Sequence, residues 1–134
     1  MRVTVVGAGV IGMTSALAVK TNFPQFEVHV ISDEFSPATT GDGSAGLWSP
    51  YLLGNTPCDK ILQWSGITHR WLEKFWKAGL APEIGLSLIP VYRVTSDPNG
   101  FSESTWTGTV YGARKLSSSE LEKLNAECKT SYKY

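Results

Sequence analysis

Val3-Thr4-Val5-Val6-Gly7-Ala8-Gly9-Val10-Ile11-Gly12 decides the fold of this chain. An apolar run ends in Gly-x-Gly-x-x-Gly and passes at once into a helix-forming stretch. In a strand–turn–helix unit these glycines have separate jobs. Gly7 permits a tight turn, Gly9 keeps side-chain atoms away from an approaching phosphate, and Gly12 lets the helix lie close to the strand. The start of that helix presents free amides and the positive end of its dipole, where a pyrophosphate is stabilised. A lone glycine turn is weak evidence, so the context around it matters.

The context supports a Rossmann-like βαβ unit. Val3, Val5 and Val6 suit a buried parallel strand. Ile11 to Lys20 contains no proline and no glycine after Gly12, which predicts a helix. Asn22 to Gln25, with Pro24, breaks it. Val28-His29-Val30-Ile31 reads as the second strand. Asp33 and Glu34 follow about twenty residues after the turn, the spacing at which an acidic group meets a ribose hydroxyl.

Ser36 to Gly46 then forms a long loop of small and hydroxylated residues without hydrophobic period. Such loops are functional or are surface linkers. Thr39, Thr40 and Ser44 offer hydroxyl donors, and Gly43 and Gly46 allow close backbone approach. Leu47 to Leu52 is apolar and aromatic, and Gly54 to Pro57 turns the chain. Asp59 to Lys77 has helical periodicity, with Ile61, Trp64, Ile67, Thr68, Trp71, Leu72 and Phe75 on one face as expected core. Thr56 or Asp59 is placed to cap its start and Gly79 to close its end. His69 has no partner at a ligand spacing and reads as a structural or surface residue.

Beyond Gly79 to Gly85 the pattern shifts. Leu86 to Ile89 and Val91 to Val94 read as strands, or as one strand bent at Pro90, and Thr109 to Tyr111 as another, with a turn at Asp97-Pro98-Asn99-Gly100. Ser117 and Glu120 form a capping box ahead of a short amphipathic helix. Residues 1–80 are therefore expected to begin a dinucleotide-binding domain, and 81–134 a β-rich α+β substrate domain, within an incomplete two-domain α/β fold. Two strands are too few to finish a doubly wound sheet.

Composition excludes other classes. The chain has 134 residues, with 12 Lys and Arg against 12 Asp and Glu, so it has no basic footprint for nucleic acid or an anionic membrane. No stretch is apolar enough to span a bilayer, and no targeting signal is visible. Cys58 and Cys128 lack metal-ligand spacing and are expected as reduced thiols. No Ser-His-Asp set or paired His/Cys set is present, so neither catalytic nor metal-binding residues are assigned within the chain. A bound cofactor would have to supply redox chemistry.

Several motifs together resemble the N-terminal part of the D-amino-acid oxidase and D-aspartate oxidase family. They are Gly7 to Gly12, the segment Val30 to Pro37, Thr39-Thr40, Ala45-Gly46-Leu47-Trp48-Ser49-Pro50-Tyr51, and Gly112 to Leu116 with the Ser-x-x-Glu that follows. The resemblance implies an FAD-dependent flavoprotein. Such enzymes oxidise D-amino acids to imino acids, which hydrolyse to keto acid and ammonia, while oxygen becomes hydrogen peroxide.

By matching position, Gly7, Ala8, Gly9, Val10, Ile11 and Gly12 would lie at the FAD pyrophosphate, and Asp33 and Glu34 at the adenosine ribose. Thr39 and Thr40 would hold phosphates. Ala45, Gly46 and Leu47 would approach the ribityl chain or flavin, with Ser49 nearby. The resemblance also implies a small D-amino acid and oxygen as partners, allows a homodimer, and points to a peroxisomal or cytoplasmic location. The family's substrate-binding arginine and tyrosines fall beyond Tyr134, so this polypeptide alone is expected to be inactive. The glycine turn by itself suits an NAD-dependent dehydrogenase equally well, but the Thr-Thr and Ala-Gly-Leu-Trp loop argues against one. A non-enzymatic dinucleotide binder, or a fragment pairing with a full-length oxidase, is the other alternative.

Overall fold

The computed structural model describes residues 1–51, 53–95, 97, 99 and 104–128. They form two compact units, Met1–Trp48 and Ser49–Tyr134.

The first unit is the expected βαβ. Strand β1 (Arg2–Val6) leads through the glycine turn into helix α1 (Val10–Asn22), and the chain returns as strand β2 (Glu27–Ile31). The strands pair in parallel from Arg2 beside Glu27 to Val6 beside Ile31. Helix α1 ends where Lys20 Nζ donates to the carbonyls of Pro24 and Phe26, at 2.8 and 3.0 Å. That contact places a cation at the negative end of the helix dipole. At the same end, where both strands begin, Arg2 pairs with Glu27 at 3.0 Å, and His29 lies 2.8 Å from the same carboxylate. Arg2, and then His29, hold the Glu27 carboxyl below its ordinary range.

Burial in this sheet alternates. Val3, Val5, Val28 and Val30 are half-buried, whereas Val6 is 79% exposed and Ile31 is exposed. The apolar run at Val3, Val5 and Val6 is therefore not buried throughout. Helix α1 covers one face of the sheet, and successive side chains of a strand point to opposite faces. Among the described residues, the buried apolar positions are Ala8, Ala16 and Ala81. An open groove of about 450 Å³ runs between α1 and β2, floored by Met13, Ala16, Leu17, Val28 and Val30.

The second unit carries helix α2 (Cys58–Lys77), a 3-10 turn at Thr107–Thr109 and helix α3 (Ser118–Cys128). Helix α2 starts at Pro57 without a side-chain cap, so neither Thr56 nor Asp59 caps it; the Thr56 hydroxyl bonds the Leu53 carbonyl instead. Its end follows expectation. Gly79 has φ +76°, its amide bonds the Trp76 carbonyl, and the Leu80 amide bonds that of Phe75. This is a Schellman closure, which needs a left-handed residue after the cap. Gly79→Ala is expected to cost about 1 kcal/mol through that backbone strain. Urea unfolding followed by helical circular dichroism measures it, and an unchanged midpoint would contradict the left-handed closure.

The inward face of helix α2 matches its periodicity only in part, at Ile61, Leu72 and Phe75. Ile61, Ser65, Gly66, His69, Leu72, Glu73 and Phe75 are buried or half-buried. Trp64 and Ile67 are 57% and 52% exposed, and Trp71 is exposed. The small side chains at 65 and 66 leave room for neighbours. Tyr111 sits edge-on to His69 with 5.5 Å between ring centres, and its hydroxyl bonds Glu73. Lys77 pairs with the same carboxylate at 2.8 Å.

None of the strands expected in this unit is formed among the described residues. Leu86 to Ile89 and Val91 to Val94 are irregular, with Leu88, Ile89, Val91 and Tyr92 exposed. Alternating sequence makes a strand only beside a pairing neighbour, and among the described residues pairing here is limited to an isolated bridge at Thr95. Thr109 belongs to the 3-10 turn, its amide bonding the Trp106 carbonyl at 2.8 Å, so local turn bonding displaces the third strand. The turn signal at 97–100 is visible in part: the Asn99 amide bonds Asp97 Oδ1 at 2.8 Å. Pro98, Gly100, Leu52 and the polar end at 129–134 lie outside the described residues. The Ser117–Glu120 box forms with both reciprocal bonds, at 2.8 and 3.3 Å, and Arg114 clasps the same carboxylate through two nitrogens.

Candidate dinucleotide site

Parallel strands end together, and here both ends carry the expected residues. The Gly7 amide bonds the Ile31 carbonyl at 2.7 Å, fastening the glycine turn to the end of β2. Gly7 has φ +100°, a conformation that L side chains rarely adopt. Gly12 is fixed by packing. A Cβ there would lie 1.9 Å from the Gly7 carbonyl oxygen, so only glycine allows this strand–helix approach. Ala8 is buried in the turn, while Val10 and Ile11 are exposed at the start of α1.

Gly9 is the N-cap of α1, with φ −73°, and its carbonyl accepts the Met13 amide at 2.9 Å. A Cβ at Gly9 would point into open space. No side chain caps this helix and no acidic residue lies in its first turn. The first amides of an α-helix have no partner within the helix. The arrangement thus offers an unblocked, positively polarised surface with room for an anion, and it fits a dinucleotide phosphate.

Asp33 and Glu34 follow β2 after Ser32 and are exposed. Asp33 Oδ1 accepts the Glu34 amide at 3.1 Å and faces the Ser32 hydroxyl at 3.5 Å. The next loop has more structure than its composition suggests, because Thr40–Gly43 forms a 3-10 turn. Asp42 is its organiser. One carboxylate oxygen accepts the Thr39 hydroxyl at 2.6 Å and the Thr39 amide at 2.9 Å, and the other accepts the Ser36 hydroxyl at 2.7 Å. The Thr39 hydroxyl first, then Ser36 and the Thr39 amide, hold the Asp42 carboxyl below its ordinary range. Stabilisation from such a group is complete above the ordinary carboxylate pKa and is lost as pH falls through the lowered value. Sequence reading missed Asp42, although Thr-x-x-Asp is a capping-box signal.

Ala45, Gly46 and Leu47 are exposed, and Gly46 has φ +76°. Ser49 begins the second unit. Cys58 is a free, exposed thiol. Among the described residues no group of His, Cys, Asp and Glu is placed to hold a metal ion, and no helix is long and apolar enough to cross a membrane.

A strand–glycine turn–helix with an unblocked helix start, followed by an acidic pair, defines a dinucleotide-binding unit. Comparison with known proteins identifies which kind. The FAD dependent oxidoreductase family matches residues 2–133, and the chain belongs to it. Among curated relatives, D-aspartate oxidase from Homo sapiens is 32% identical over 122 residues, covering 91% of this chain and 36% of that protein. D-amino acid oxidase from Dugesia ryukyuensis is 27% identical over 124 residues, covering 92% of this chain and 36% of that protein. The chain thus spans little more than a third of the length of these relatives. No solved structure gives a significant match.

Proposed function

We propose that this chain is the FAD-gripping front portion of an oxidase of D-amino acids, D-aspartate among them. The supporting observation is the glycine turn pinned to the end of β2 beside an uncapped α1, in a chain related to D-aspartate oxidase. Bound FAD would supply the redox chemistry, with oxygen as electron acceptor. The residues of this chain bind and orient. Gly7, Ala8, Gly9, Val10, Ile11 and Gly12 hold the pyrophosphate, Asp33 and Glu34 the ribose, and the loop carrying Thr39 and Thr40 further phosphate oxygens. Ala45, Gly46, Leu47 and Ser49 lie toward the flavin. Residues 1–80 belong to the FAD-binding domain, and 81–134 open the substrate domain. The groups that contact the amino acid lie in the part of the relatives that this chain does not span. A peroxisomal location and a homodimer accompany the same reading.

Titrating the chain into FAD is expected to quench flavin fluorescence saturably, and NADH is expected not to compete. Saturable NADH binding without FAD binding would replace this reading with a nicotinamide-dependent one. In a protein extended to the relatives' full length, D-aspartate or a neutral D-amino acid is expected to bleach the flavin under anaerobic conditions. A flavin that stays yellow with both would exclude the oxidase assignment.

A further inference from the structure

A carboxylate in a loop meant for phosphates is a liability, since like charges raise the cost of bringing the ligand in. Asp42 sits in such a loop, with its oxygens turned onto Ser36 and Thr39. A threonine hydroxyl has one proton to donate. That of Thr39 goes to Asp42 at 2.6 Å, and so does its amide. The hydroxyl of the adjacent Thr40 has no partner among the described residues. The two threonines, equivalent in sequence, are therefore unequal in the structure.

We propose that Asp42 is a positioning residue of the cofactor site, which fastens Thr39 and Ser36 to shape the loop and leaves Thr40 as its phosphate-donating hydroxyl. The proposal rests on the reading of this chain as an FAD binder. Three donors converge on one carboxylate, so Ser36, Thr39 and Asp42 are locked to one another across the start of the 3-10 turn. Their accepted protons also offset the negative charge that Asp42 would otherwise turn toward a phosphate. The motif is a capping box with aspartate in the place where glutamate is usual. Thr39 thus acts on the cofactor only through the loop, and Thr40 acts directly.

The test is FAD titration by fluorescence quenching, with amide hydrogen exchange on the same ligand-free proteins. Asp42→Ala and Thr40→Val are each expected to weaken FAD binding on the order of tenfold, the scale of one to two hydrogen bonds. In Asp42→Ala the Thr39 amide is expected to lose protection while α1 keeps its own; in Thr40→Val both stay protected. Adding Thr39→Val to Asp42→Ala is expected to weaken binding no further, because the partner of Thr39 is already gone. Asp42→Glu should restore both binding and protection. Wild-type affinity in Asp42→Ala, multiplied losses in the Thr39/Asp42 double variant, or an unprotected Thr39 amide in the wild type would overturn the proposal. A wild-type chain that binds no FAD overturns the functional reading and this proposal together; one that binds FAD and is indifferent to Asp42 overturns this proposal alone.

Discussion

Gly12→Ala is expected to unfold the first unit. The added methyl carbon would stand 1.9 Å from the carbonyl oxygen of Gly7 and 2.9 Å from its carbonyl carbon. Both are backbone atoms, and the Gly7 amide is itself tied to Ile31. No flexible side chain is available to yield, so α1 must lift from β1. Overpacking that side chains can absorb costs about 1–3 kcal/mol, and a backbone collision exceeds that range. Small domains hold only about 5–15 kcal/mol in total, and the buried apolar positions here are alanines. The expected result is loss of amide protection in α1 and of the cooperative urea transition. A variant with the wild-type transition would show that strand and helix do not approach this closely.

Gly9→Val is expected to do the reverse. The backbone of Gly9, at φ −73°, suits any residue, and a Cβ there meets nothing within 4 Å. The fold should lose less than about 1 kcal/mol, the difference between a good and a poor N-cap residue. The valine methyls, however, fill the space through which an anion reaches the first amides of α1. Loss of that contact is expected to weaken FAD binding on the order of 100-fold, or about 3 kcal/mol. Urea unfolding and FAD titration on the same preparation separate the two effects. Unchanged FAD affinity would place the pyrophosphate away from this turn.

The parts legible in the sequence are those whose causes are local. The turn at Gly7, the close approach at Gly12, the parallel return at Val28 to Ile31 and the left-handed closure at Gly79 each follow from residue type within a few positions. The Ser117–Glu120 box is read the same way. What failed depended on neighbours distant in sequence. The periodicity of α2 marks an apolar stripe, but Tyr111 packs against the side carrying His69 and Glu73, and leaves Trp64 and Ile67 outward. The alternation at Val91 to Val94 reports a chain ready to pair, but among the described residues pairing goes no further than the bridge at Thr95. Within the candidate site, composition pointed to the Thr-Thr loop, but the direction of the Thr39 hydroxyl depended on Asp42.

The hydrogen bond from the Gly7 amide to the Ile31 carbonyl also has a bearing on the order of assembly. Every backbone contact that shapes the glycine turn lies between Met1 and Ile31. Short loops close at low entropic cost, and contacts between nearby residues form early. Those contacts involve neither the 3-10 turn at Thr107–Thr109 nor α3, so the glycine turn is expected to form without them once Ile31 has left the ribosome.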